Sequence, residues 1–220
     1  MYAFISHFGN MKVWSKIHKM CGKLGIENYI IVAGVPNMKT AILQDRLFIV
    51  PSGDGYCDLP EKIYKLCKYF LKFFPNEKGF LKIDDDVRLY SKELYTTLKR
   101  HNAGTGYITT SNPEWHIGRC PGSEWNTKSM NWHSWAKKHL KFDEKFNIMG
   151  GSHTYYLSKK AIKAIANTRI NPKTHVLENV MISSILASKG IKPFLNQKLR
   201  TTMKTVFKGT KKLATVDTKL

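Results

Sequence analysis

Three consecutive aspartates, Asp84, Asp85 and Asp86, close the apolar run Phe80-Leu81-Lys82-Ile83 in a chain of 220 residues that has only 16 acids. Carboxylates crowded this closely repel one another unless a cation offsets them. On an extended chain side chains alternate faces, so Asp84 and Asp86 share a side and Asp85 takes the other. Two carboxylates on one side make a hard-oxygen site suited to Mn²⁺ or Mg²⁺. A metal there can bridge a diphosphate and neutralise the charge it gains on leaving. A polar turn capping the next segment is the plainer use of the same residues. The sequence has no GxxxxGK[ST] loop, no GxGxxG after a strand, no GxSxG and no HExxH, which sets nucleophile and zinc chemistry behind metal-assisted transfer.

Hydrophobic periodicity predicts the elements that hold the cluster. Residues 80–83 form a strand-length apolar run, matched by runs at 2–7, 29–33 and 47–50. Helical spacing covers 12–24, where Val13, Ile17, Met20 and Leu24 share a face and Gly25 follows. It also covers 60–74, begun by Pro60, with Ile63, Leu66, Cys67, Phe70 and Phe74 on one side. Further helices are predicted over 91–100 behind Ser91, over 158–167 behind Ser158, and over 177–189, stopped by Gly190. Residues 103–147 hold Trp115, Trp125, Trp132 and Trp135 and mix loops, short strands and one helix. Strands alternating with helices predict an α/β fold with a mostly parallel central sheet flanked by helices. The aspartates then sit at a strand's carboxyl end, where such sheets bind ligands.

Four segments, in order, resemble glycosyltransferase family 31, the β-1,3-galactosyl- and N-acetylglucosaminyltransferase group. Asp54-Gly55-Tyr56-Cys57-Asp58-Leu59-Pro60-Glu61-Lys62 is similar to the family's D-x-Y-x-N-L-x-x-K, with Asp58 in place of Asn. Leu81-Lys82-Ile83-Asp84-Asp85-Asp86-Val87 is similar to its LKxDDDV strand. Gly150-Gly151-Ser152-His153-Thr154-Tyr155-Tyr156-Leu157-Ser158 is similar to its glycine-rich element, with extra residues, and Leu177-Glu178-Asn179-Val180, running on to Gly190-Ile191, to its last helix. The resemblance implies a GT-A-type nucleotide-sugar-binding fold, a UDP-sugar donor, Mn²⁺ (or Mg²⁺) as cofactor, and inverting transfer of a hexose or N-acetylhexosamine, galactose or N-acetylglucosamine foremost, to a glycan or glycoconjugate. It implies Asp84 and Asp86 on the metal, Asp85 by the donor's ribose or sugar, Tyr56 and Lys62 beside the donor, and Gly150 and Gly151 letting backbone approach the sugars. The family's acidic pair at the start of its last helix supplies the general base. Here that pair reads Glu178-Asn179, so Glu178 is the candidate base. The amide beside it keeps an inactive UDP-sugar-binding module as an alternative.

Charge supplies the rival. With 36 Lys+Arg the net charge is +20, a field that attracts polyanions. The same aspartates could then serve a metal-dependent phosphoryl or nucleotidyl transferase, or a basic nucleic-acid-binding protein. Its extra ligands would come from Glu93, Glu114, Glu124, Asp143 and Glu144, none of which carries a motif. His153 and His175 are solitary and more simply structural, and the tryptophans more simply core than an acceptor wall. Cys21, Cys57, Cys67 and Cys120 lack zinc spacing and read as reduced thiols. With no apolar run of membrane length and no secretory signal, the expected chain is cytoplasmic, a trimmed form without the family's membrane anchor. It is a single catalytic domain over 1–200 with a basic tail over 201–220. Lysine-, isoleucine- and asparagine-rich usage points to an AT-rich genome, viral ones included.

Overall fold

The computed structural model describes residues 1–89, 91–93, 131–148, 154–174 and 177–192. Its centre is a six-stranded sheet built from β1 (Tyr2–Ile5), β2 (Tyr29–Gly34), β3 (Ile42–Gln44), β4 (Leu47–Val50), β5 (Gly79–Asp84) and β6 (Thr154–Ser158), in the order β3-β4-β2-β1-β5-β6. Neighbours among β4, β2, β1 and β5 run parallel, and β3 and β6 are antiparallel edges. The inner strands β1 and β2 are buried along their whole length. That is why they read as unbroken apolar runs rather than alternating ones.

Among the described residues five helices flank the sheet: α1 (Met11–Leu24), α2 (Leu59–Phe73), α3 (Trp132–Leu140), α4 (Lys159–Ala166) and α5 (Glu178–Ser188). α1 turns its buried Val13, Trp14, Ile17 and Cys21 to the sheet and ends at Gly25, whose φ of 61° a side chain would strain. α2 packs against α4 and α5. Its Phe70 meets Phe74 and Phe80 at ring distances of 5.2 and 5.1 Å. The crossovers β1–α1–β2 and β4–α2–β5 travel in opposite directions along the sheet, so their right-handedness sets α1 and α2 on opposite faces. α5 is buried continuously from Glu178 to Leu186, which makes it the inner helix of its face.

The expected α/β architecture is therefore present, with helices close to the predicted spans. Ser158 caps α4, its hydroxyl accepting from the Ala161 amide at 3.2 Å. Two strands escaped the periodicity reading. β3 is only three residues long and joins β4 through a tight turn at Asp45, whose φ is 51°. β6 follows the glycine-rich stretch in sequence, and all five of its residues are buried. Of the helix predicted over 91–100, only residues 91–93 are described, and Ser91 Oγ accepts from the Glu93 amide at 3.1 Å. The tail over 201–220 lies outside the described residues. Among them, no helix is long and apolar enough to cross a membrane.

Candidate active site

Four parallel strands end at one edge of the sheet, and that edge collects the chain's polar chemistry. Ser6, His7 and Phe8 follow β1, Gly34 ends β2, residues 52–58 follow β4, and Asp84–Asp86 follow β5. Because β6 runs opposite to β5, its first residues also lie there, with Thr154 paired to Ile83 and Tyr155 to Lys82. The amino end of α5 brings Glu178 to the same place, in contact with Tyr155 and Lys82.

One wall is tied by Lys62. Its side chain is only 2% exposed, and its ammonium lies 2.6 Å from Asp54 Oδ1 and donates to the Ser6 carbonyl at 2.9 Å. Asp54 in turn accepts from the Gly34 amide at 2.7 Å and from the Phe8 amide. His7 Nδ1 lies 2.6 Å from the Asp54 carbonyl oxygen. One lysine and one aspartate thus bind together the loops after β1, β2 and β4. The backbone there is tightly packed: a Cβ added to Gly34 would sit 2.3 Å from the Gly53 carbonyl oxygen. Asp58, at the end of a 3-10 turn over Tyr56–Asp58, accepts from the Gly55 amide at 2.9 Å. Tyr56 stands 40% exposed beside it. Lys62 is therefore turned inward to the loops, whereas Tyr56 faces outward.

The other wall is tied by Lys82, the single charge inside the apolar β5 run. It is 1% exposed, forms an ion pair with Asp84, and lies 3.6 Å from Glu178 Oε2. The Tyr155 hydroxyl donates to Glu178 Oε1, and the Lys82 ammonium lies 5.3 Å from the centre of the Tyr155 ring. Burial works against the charged ammonium, but Asp84 and Glu178 beside it hold it above the usual lysine value. Burial pushes the Glu178 carboxyl up, Lys82 opposes that, and Asp84 adds to it. Burial also holds the Tyr155 phenol well above its ordinary range, so it remains a donor. Both Glu178 oxygens face partners inside the protein.

The aspartates do not continue the strand. β5 ends at Asp84, and the Val87 amide donates to the Asp84 carbonyl at 3.1 Å, closing a turn over Asp85 and Asp86. The strict alternation expected from an extended chain therefore stops at Asp84. Asp85 accepts from the Ser6 hydroxyl at 2.7 Å, and Ser6 accepts from Trp14 Nε1 at 3.1 Å. Burial raises the Asp85 carboxyl's pKa, and the Ser6 hydrogen bond opposes the rise. Asp84 is 28% exposed and Asp86 is exposed.

Among the described residues no group of three or more His, Cys, Asp or Glu side chains could by itself hold a metal. The carboxylates of Asp84, paired with Lys82, and of the exposed Asp86 are hard oxygen donors, a chemistry compatible with Mn²⁺ or Mg²⁺ held through one or two carboxylates. They do not fit an all-protein cage.

Several expected residues fall elsewhere. Gly150, Gly151, His153, His175, Trp115, Trp125, Glu114 and Glu124 lie outside the described residues. Trp135 is core at 4% exposure and Trp132 is partly buried against the core. Glu93, Asp143 and Glu144 are exposed, and Asp143 pairs with Lys137 at 2.9 Å. Asn179 is buried at 6% exposure. Cys57 corrects an expectation: it is disulfide-bonded, while Cys21 and Cys67 are free and buried. Disulfides belong to oxidising compartments, so the thiols no longer argue for a cytoplasmic location. Spacing could not have revealed a bond whose two halves meet only through the fold.

Sequence reasoning assigned no role to Ser6, Asp54, Lys82 or Tyr155. The one available signal was Lys82 itself, a charge inside an apolar strand next to three acids. A family profile described as Galactosyltransferase matches residues 38–196, well over half of the chain and inclusive of Asp54, Lys62, Asp84–Asp86 and Glu178. No individual curated protein matches the chain.

Proposed function

We propose, from the premise that the chain belongs to the galactosyltransferase family of β-1,3-galactosyltransferases and is a glycosyltransferase, that it moves galactose or N-acetylglucosamine from a UDP-sugar to a glycan hydroxyl with inversion. The observation that carries this reading is the set Asp84–Asp86 at the carboxyl end of β5, inside the family match and at the ligand-binding edge of a parallel sheet. Asp84 and Asp86 would hold Mn²⁺ or Mg²⁺, which when bound stabilises the charge growing on the departing diphosphate. Asp85, fixed by Ser6, would present its remaining acceptor capacity to the donor's ribose or sugar. Tyr56 would contact the donor directly, and Lys62 would serve it by holding the loops that surround it.

Glu178 is the acid that the resemblance marks as base. Burial raises the Glu178 carboxyl's pKa, the direction that makes its carboxylate a better proton acceptor. Its two oxygens are nonetheless engaged by Tyr155 and Lys82. With Asn179 beside it, this favours as second reading a module that binds the donor and transfers slowly or not at all. Calorimetric titration of UDP, with Mn²⁺ and with EDTA, on the wild type and Asp86→Ala tests the donor site. Binding lost with EDTA and in the variant supports the site, and no binding under any condition sinks it. Screening UDP-sugars with sugar acceptors then separates the two readings: turnover supports the enzyme, and donor binding without turnover supports the module.

A further inference from the structure

We propose that Lys82 is a positioning residue for the metal aspartate: anchored by Glu178 and Tyr155, it holds Asp84 in its metal-binding orientation. This rests on the reading of Asp84 as a metal ligand. Lys82 and Tyr155 are cross-strand partners on β5 and β6, and Glu178 stands at the first turn of α5. Three elements therefore converge on one ammonium. Two are backbone-paired strands and the third is a buried helix, so the ammonium has little room to move. Lys82 shares a strand face with Asp84, two residues on, and pairs with its Oδ1. A carboxylate held in this way has lost its rotational freedom before the cation arrives. Binding then costs less entropy and the oxygens are already aimed.

Stability alone does not account for the cluster. A buried ion pair is often matched or bettered by apolar side chains of similar size, and the neighbours of Lys82 along β5, Leu81 and Ile83, are apolar. The cluster also carries two carboxylates for one ammonium, a local excess of negative charge that a divalent cation at the Asp84 end would offset.

The positioning role and simple electrostatics predict opposite signs. If Lys82 were only a positive charge near a cation site, its removal would tighten Mn²⁺ binding; if it aims Asp84, removal weakens binding. The test is titration of Mn²⁺ into the full chain with UDP present, following free Mn²⁺ by electron paramagnetic resonance, with thermal melts in parallel. Lys82→Met should still melt cooperatively and bind Mn²⁺ roughly 10- to 100-fold more weakly, as for other residues that orient metal ligands. Lys82→Arg should recover most of the affinity. Tyr155→Phe, which changes no charge, should weaken binding in the same direction by a smaller factor.

Mn²⁺ binding by folded Lys82→Met that equals or exceeds the wild type overturns the proposal. Should that variant not fold, unchanged affinity in Tyr155→Phe overturns it as well. A wild type that holds no Mn²⁺, or an Asp84→Asn variant that binds it equally well, refutes instead the reading of Asp84 as a ligand.

Discussion

Lys62 and Lys82 stand under opposite walls of the same sheet edge, both almost wholly buried, yet their surroundings differ in charge. Lys62 meets one carboxylate and one backbone carbonyl, and its partner Asp54 bonds to backbone amides of two other loops. Positive and negative charge balance, and every bond runs to the scaffold. Lys82 meets two carboxylates, one of which, Asp84, is 28% exposed at the edge. The first wall is an electrically closed staple that shapes the loops. The second sets two carboxyl groups against one ammonium, with the partly exposed Asp84 at the edge. A buried lysine is thus a fastener in one case and, on the reading proposed above, a positioning group for a metal ligand in the other, and the count of carboxylates around it distinguishes them.

The largest test of this contrast is Lys62→Met. Removing one partner of a buried pair should cost about 3–5 kcal/mol, lowering Tm by about 10 °C for a chain of this size. Added Mn²⁺ should not restore the loss. An unchanged melt would show that Asp54 holds the loops unaided.

Gly34→Ala comes next. Its new methyl would meet the Gly53 carbonyl oxygen at 2.3 Å, so about 1–3 kcal/mol of overpacking strain is expected. UDP affinity should fall with it, because the loops of the Lys62 wall must part. Unaltered affinity in a destabilised protein would separate that wall from the donor site.

Ser158→Ala removes the cap of α4, at the opposite end of β6 from the sheet edge that carries Tyr155. It should cost about 1 kcal/mol in denaturant unfolding while leaving UDP binding intact. A loss of UDP binding here would mean that the edge depends on the whole α4 face and not on its two lysine clusters.

The smallest effect is expected at Asp85. Its folded pKa is raised by burial against the Ser6 hydrogen bond, so ionisation costs stability as pH climbs through the folded value. Below the unfolded value the carboxyl is protonated in both states and that cost is absent. Asp85→Asn should therefore melt slightly higher at neutral pH, by about 2 °C, with the gain vanishing in acid. A melt that falls at neutral pH would mean that the charged form is held by more than Ser6.

Much of the frame was legible in the residues. Val13 and Ile17 fall on the buried face of α1, Phe70 on that of α2, and Ser158 caps α4, because amphipathic spacing and capping are local properties. Asp84–Asp86 were recognisable as a strand end for the same reason. β3 and β6 were not, since three residues are too few to show a period and a buried edge strand shows no alternation. The inward turn of Lys62 was hidden too: its helix-start position suits a surface lysine equally well, and its partner lies in a loop that no pattern joins to it.

By itself, then, the sequence determined the order of the longer helices and of strands β1, β2, β4 and β5, the carboxylates at the end of β5, and the likeness of its ordered segments to one transferase family. These follow from short-range periodicity and from residue types in line. Only the tertiary structure decided which charges meet. Lys82 and Glu178 are far apart in the chain and 3.6 Å apart in space, Ser6 and Asp85 are joined at 2.7 Å, and Cys57 is bonded rather than free. Coulombic pairing, hydrogen bonding and disulfide closure all depend on distance and burial, and both are set by how the sheet stacks its strands.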